Sequence, residues 1–187
     1  LKKNITALGL SLIVTTLSAS LIISTVSWFS SSEITNLKIN SGVVSSYFEP
    51  VADSDGSQAN PYVIARPVQL FNLMHLMQSN RVVEQDVNGK DVYFYQKDYY
   101  FQFGKLVNGT YQFVDYGDDG VIIGENKYSP YLNMKYYSDD GSLIPIGTED
   151  RPFIGHIVGN NLTVKNVKIR GSGYSDVGIF GYVAQGA

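Results

Sequence analysis

PIGTEDRPFIGHIVGNNLTVKNVKIRGSGYSDVGIFGYV, residues 145–183, decides how the rest of the chain is read. Leu162 and Val164 alternate with polar residues, Asn166 interrupts, and Val167 and Ile169 alternate again with Lys168 and Arg170. Further on, Val177 and Ile179 flank Gly178, and Phe180, Gly181 and Tyr182 follow. Strands this short, separated by glycine and asparagine corners that tolerate the left-handed region, suit a chain that winds. The alternation predicts burial for Leu162, Val164, Val167, Ile169, Ile179 and Phe180, and exposure for Lys165, Lys168 and Arg170.

The same stretch opens with Pro152, Phe153 and Gly155, turns at Gly159 and Asn160, and runs through Val164, Asn166, Val167 and Ile169 to Gly178, Ile179, Phe180 and Gly181. Pro145-Ile146-Gly147 leads in. In this order of features it resembles the GLUG-type repeat of large bacterial surface and secreted proteins. Two positions depart from that pattern, both at a turn: Val158 stands where Asp is common, and Asn161 where Gly is common.

The resemblance implies the start of a right-handed parallel β-helix. Physical reasoning agrees: one coil cannot bury its apolar strand faces alone, whereas coils stacked about 4.8 Å apart build a continuous core. An antiparallel sandwich of short strands is the alternative that the same composition allows. The expected fold class is therefore mainly β, with a short capping helix and an N-terminal hydrophobic helix before it. Four segments follow: 1–32, a signal peptide or membrane anchor; 33–58, a juxtamembrane strand and loop; 59–142, a capping strand and helix with an aromatic-rich β segment; and 143–187, the GLUG-like coils.

The 187 residues contain no cysteine, which excludes disulfide staples and thiolate metal sites. Fourteen tyrosines and nine phenylalanines favour strands with aromatic faces. A net charge of −3 without a Lys/Arg cluster argues against nucleic acid as a partner.

Lys2 and Lys3 precede an uncharged run from Asn4 to Ser32. That run is long enough to cross a bilayer, and the lysines before it place the remainder outside. Residues 5–29 would engage the membrane if retained; Ser18-Ala19-Ser20 offers a cleavage site if not. Leu1 in place of Met fits an alternative start codon or a missing first segment.

Asp53-Ser54-Asp55-Gly56-Ser57 reads as a solvated turn, because setting Gly56 at the sixth position of a calcium loop puts Val51 at the first. Tyr62 to Ala65 suit a strand, and Pro67 suits the first turn of a helix carrying Leu70, Leu73, Met74 and Met77 at helical spacing. His75 sits at the boundary of that face. Such a strand and helix resemble the lead-in to GLUG-type coils, where they cap the first coil against edge pairing. Tyr99, Phe101 and Phe103 share one alternating face, and Asn108-Gly109 before Tyr111 is a hairpin signal. Asp118-Asp119-Gly120 and Asp139-Asp140-Gly141, 21 residues apart, read as two turns or as coil corners. Tyr99, Phe101 and Tyr111 are candidates for stacking on sugar rings; an aromatic core face is the other reading.

No motif in the chain supplies a catalytic, cofactor-binding or metal-binding residue. His75 and His156 stand alone, and Gly171-Ser172-Gly173 lacks the helix and lysine of a phosphate loop. Asp150, Arg151, Lys168, Arg170 and Asp176 are the charges that the lateral face of a polysaccharide-cutting β-helix could use, although charges on a solenoid ordinarily keep it soluble. Two functions remain open. One is an exported bacterial surface protein, on the outer face of the membrane or secreted, whose β-helix is a stalk or an adhesive surface for carbohydrate or for a host or neighbouring cell. The other is the N-terminal portion of an extracellular enzyme, a polysaccharide-degrading β-helix or a peptidase with its catalytic domain downstream. Val177 to Val183 would leave an unguarded strand edge, so residues 33–187 are expected to self-associate unless further coils of the chain cover it.

Overall fold

A computed structural model describes residues 44–124 and 127–187. The expected N-terminal hydrophobic helix, its span at 5–29 and the strand-like residues 33–43 lie outside the described residues. Among the described residues no helix is long and apolar enough to cross a membrane.

Strands outnumber helices. In chain order they are β1 (Tyr62–Ile64), helix α1 (Pro67–Gln78), β2 (Val82–Gln85), β3 (Asp91–Tyr93), a 3-10 turn (Phe94–Gln96), β4 (Tyr100–Phe103), β5 (Lys105–Val107), β6 (Thr110–Val114), β7 (Tyr128–Ser129), β8 (Tyr131–Asn133), helix α2 (Lys135–Asp139), β9 (His156–Val158) and β10 (Thr163–Lys165). The described residues all lie within one compact unit.

β1, β4 and β9 form a parallel sheet with β4 central, in a register that puts Tyr62, Phe101 and Ile157 in one row. β8 and β10 pair in parallel beside them, Leu132 against Val164. Two further parallel bridges join Ile146 to Phe180 and Phe153 to Val183. The chain therefore returns repeatedly to lie beside itself in the same direction. Single residues do part of this work: the Leu143 carbonyl accepts from Arg170 N at 2.8 Å, and Ile146 N donates to the Ile179 carbonyl at 2.8 Å. Gly147 turns the chain after that pairing with φ +78°, and a Cβ there would collide with the Tyr182 carbonyl.

α1 starts where the sequence places it. Arg66 before Pro67 is extended, as a residue preceding proline must be. The Gln69 side chain accepts from Ala65 N and Arg66 N at 2.7 and 2.9 Å, fixing the entry to the helix. Leu70, Leu73, Met74 and Met77 are buried. On the helix flank, His75 Nε2 donates to the Ser142 carbonyl at 3.0 Å and Gln78 Nε2 to the Pro145 carbonyl at 3.3 Å. The Leu143 and Ile146 carbonyls accept from Arg170 N and Gly181 N in one neighbouring layer, while those of Ser142 and Pro145 turn instead to a second neighbour. Where that second neighbour would be a strand, two side chains of α1 take its place.

The aromatic segment does two things. Phe101 and Phe103 enter the parallel sheet, while β5 and β6 form an antiparallel hairpin about Asn108 and Gly109, both at positive φ (51° and 80°) as a two-residue primed turn requires. The hairpin is an excursion from the parallel layer. Consecutive carbonyls of the first layer, Ile64 and Ala65, accept from Gly104 N, just before the hairpin, and Val114 N, its last residue. β7 joins the hairpin to make a three-stranded antiparallel sheet. The two Asp-Asp-Gly turns do not correspond to one another: Gly120 closes a turn on Gly117, whereas Asp139 ends α2. The coil-corner reading of their spacing is corrected accordingly.

The core is built around Tyr62, Ile64, Leu70, Leu73, Met74, Phe101, Leu132, Met134, Leu143 and Ile146. Of the residues expected inside, Leu162, Val164, Val167, Ile169 and Ile179 do face this core but are half-buried. Phe180 is 41% exposed, against the expectation of burial. These residues form the last parallel layer, covered on one side only. Lys165, Lys168 and Arg170 are exposed, and Asn166 adopts φ 58° where the alternation breaks. Residues 177–183 hold bridges in place of the expected strand, because glycines at 178 and 181 break the extended run.

Candidate functional site

Rings that pack a core cannot stack on a ligand. Phe101, 1% exposed, is enclosed by Phe48, Tyr62, Phe94 and Phe153, which corrects its candidacy for sugar stacking. Tyr99 is half-buried against Tyr62 and Phe94. Burial pushes its hydroxyl up to about 12, with the Glu84 carboxylate adding to the shift. Tyr111 is half-buried on the hairpin, opposite Leu106, in a different sheet from Phe101. No ring contact joins Tyr111 to the other two among the described residues, so the three do not form one platform.

The charged candidates near the C-terminal layer separate in the same way. Asp150, Arg151 and Asp176 line one cleft of about 320 Å³, while Lys168 and Arg170 lie outside it. Arg151 is held there by structure: its guanidinium donates to the Gln78 carbonyl and, at 2.8 Å, to Asn80 Oδ1, and it lies 4.9 Å from the Tyr95 ring centre. A guanidinium so occupied ties the C-terminal layer to the end of α1.

The most unusual polar group is one that sequence reading missed. Glu49, only 5% exposed, lies beside β1, its backbone N donating to the Val63 carbonyl at 2.9 Å. Arg66 Nε donates to Glu49 Oε2 at 2.8 Å, Gln69 Nε2 to the same oxygen at 3.1 Å, and Lys105 Nζ to Oε1 at 3.2 Å. Burial alone would raise this carboxyl. The hydrogen bonds from Arg66, Gln69 and Lys105 together outweigh it and hold the group below the ordinary glutamate range. No spacing rule could have found the cluster, since its members come from positions 49, 66, 69 and 105. The sole local hint is Gln69, three residues into a helix that follows a proline.

Arg66 and Lys105 are 34% and 30% exposed, so each presents part of its charge outward. With Lys127 they line a cleft of about 520 Å³ between the start of α1 and the antiparallel sheet. Tyr128, Val114, Ile122 and Gly124 supply the rest of its described wall, and Lys105 Nζ sits 5.4 Å from the Tyr128 ring centre. Three cations and no carboxylate face this cleft among the described residues, in a chain whose net charge is −3. The arrangement can hold an anion. Among the described residues no group of three His, Asp or Glu side chains is placed to hold a metal ion. Comparison with family models, with curated proteins and with solved structures found no match to the chain.

Proposed function

We propose that the chain is an exported bacterial surface protein, and that residues 44–187 are the helix-capped beginning of a right-handed parallel β-helix serving as a stalk or binding surface. The observation that carries this reading is the asymmetry of the strand layers. On one side α1 satisfies the outward carbonyls of Ser142 and Pro145 with His75 and Gln78, as a cap does. On the other side the last layer leaves Val158, Phe180 and Val183 exposed, as a surface that continues or associates does. Parallel pairing of β1, β4 and β9 and of β8 and β10 supports a winding chain over a sandwich, whose strands would pair antiparallel. Export rests on Lys2 and Lys3 ahead of the apolar run to Ser32.

The test is protease added to intact cells carrying the full chain with a C-terminal tag. The tag is expected to be digested while a cytoplasmic control protein survives. A tag fully protected until the cells are lysed overturns the export reading.

A further inference from the structure

We infer that the cleft between the start of α1 and the β5–β6–β7 sheet binds a sugar ring bearing a carboxylate, a uronic acid in chemical class. Its volume, about 520 Å³, lies within the range of small-molecule sites. Arg66, Lys105 and Lys127 converge on it with no carboxylate among the described lining residues. Glu49 lies behind, engaging Arg66 through Nε and Lys105 through one contact, and so fixes both side chains without closing their outer surfaces. Arg66 Nη1 also donates to the Tyr116 hydroxyl at 3.5 Å, so the guanidinium is held at two points and its Nη2 edge is pre-organised to meet an oxyanion.

The rest of the wall says what carries the oxyanion. Ile122 is 41% exposed and stands beside Val114 and the Tyr128 ring, an apolar surface that a bare phosphate would not use and that the C–H face of a sugar ring would cover. An extended acidic peptide fits less well. Such a peptide gains affinity by adding a strand to a sheet edge, and the two edges here, β5 and β7, are only three and two residues long, with Pro130 following β7. The inference gives the binding surface proposed above a ligand class, but it stands on the cleft alone and is independent of where the protein resides.

The experiment is a calorimetric titration of the purified full chain in detergent with trigalacturonate. A neutral galactose trisaccharide, a triglutamate peptide and inorganic phosphate are titrated in parallel. Saturable binding of trigalacturonate that weakens with added salt is expected, with the neutral sugar, the peptide and phosphate each at least about tenfold weaker. Lys127→Glu is the informative variant, because the Lys127 side chain makes no ion pair or hydrogen bond among the described residues, and its loss should leave the melting temperature unchanged. It should weaken trigalacturonate by about tenfold or more, and Lys127→Gln by less. Absence of saturable trigalacturonate binding, or equal affinity in both Lys127 variants, overturns the site. Triglutamate or phosphate binding as tightly as trigalacturonate overturns the assignment to a sugar. None of these outcomes bears on export, which the protease experiment decides separately.

Discussion

The Asn166 side chain donates from Nδ2 to Asn133 Oδ1 at 2.8 Å, joining two successive layers of the chain through their corner amides. Asn133 in turn donates to the Tyr116 carbonyl at 3.2 Å and to Asp118 Oδ1 at 3.0 Å, so the amides run in one direction from layer to layer. Asn166 also occupies φ 58°, a region in which asparagine and glycine are the least strained residues. One residue therefore serves a corner and a ladder at once.

Substitution separates those two roles. Asn166→Gly keeps the backbone conformation and loses the amide, and should cost about 1 kcal/mol. Asn166→Ala loses both and should cost about 1 kcal/mol more. Asn133→Ala, which strips a buried acceptor from Asn166 and leaves the Tyr116 carbonyl unpaired, should cost about 2 kcal/mol. Urea unfolding of the three variants gives the order; equal losses for the glycine and alanine forms of Asn166 would show that the corner is not strained.

Glu49 makes stability depend on acid. Its carboxyl is held below the ordinary value in the folded chain, so its contribution is present above that value and is lost as pH falls through the lowered one. Glu49→Gln should destabilise by roughly 2 kcal/mol at pH 7, and the gap should narrow as acid protonates the wild-type carboxylate. Urea midpoints at neutral and at acid pH measure the gap. A gap that widens in acid refutes the sign.

The alkaline limit is set by tyrosine. Burial raises both Tyr62 and Tyr99, the latter to about 12, above the value near 10 that each has in the unfolded chain. A group whose folded value is raised contributes stability below the unfolded value, and that contribution disappears as pH rises toward the folded one. Thermal stability should therefore fall between pH 10 and 12, and Tyr99→Phe should blunt the fall. Absorbance at the tyrosinate band, followed alongside the melt, checks that ionisation and unfolding coincide.

Depth in the layers should grade the cost of truncation. Ile146 is fully buried, and Ile146→Ala should cost about 2–5 kcal/mol. Ile169, half-buried in the last layer, should cost roughly half as much. Lys168→Asp, on the exposed side of the same run, should stay within about 0.5 kcal/mol. Equal losses at Ile169 and Lys168 would refute the assigned faces.

Much of this fold is legible in the sequence. The strand at Tyr62, the helix opening at Pro67 and the turn at Asn108-Gly109 were readable because each is decided by local chemistry: a β-rich triplet, a proline that presets φ, and two residues that accept positive φ. The faces of residues 162–169 followed from alternation. Depth did not, because alternation says which side points inward and not how many layers cover it. The site at Glu49, Arg66 and Lys105 was illegible for a different reason: its partners meet only once β1 and the hairpin are both in place. For Phe101 the sequence leaves two readings open, because an aromatic on a strand has the same spacing whether it faces a ligand or a core.

The parallel register has a kinetic consequence. Tyr62 meets Phe101 and Phe101 meets Ile157, partners 39 and 56 residues apart, so no row of the main sheet can close until distant parts of the chain are both available. Local pieces such as α1 and the β5–β6 hairpin can form in microseconds. The sheet must then wait for loop closures of high sequence separation, which places its folding in the millisecond-to-second range typical of such topologies. For a chain that crosses a membrane before it folds, as proposed above, that delay is an advantage: the helix can form early, while the layers that would resist threading assemble last.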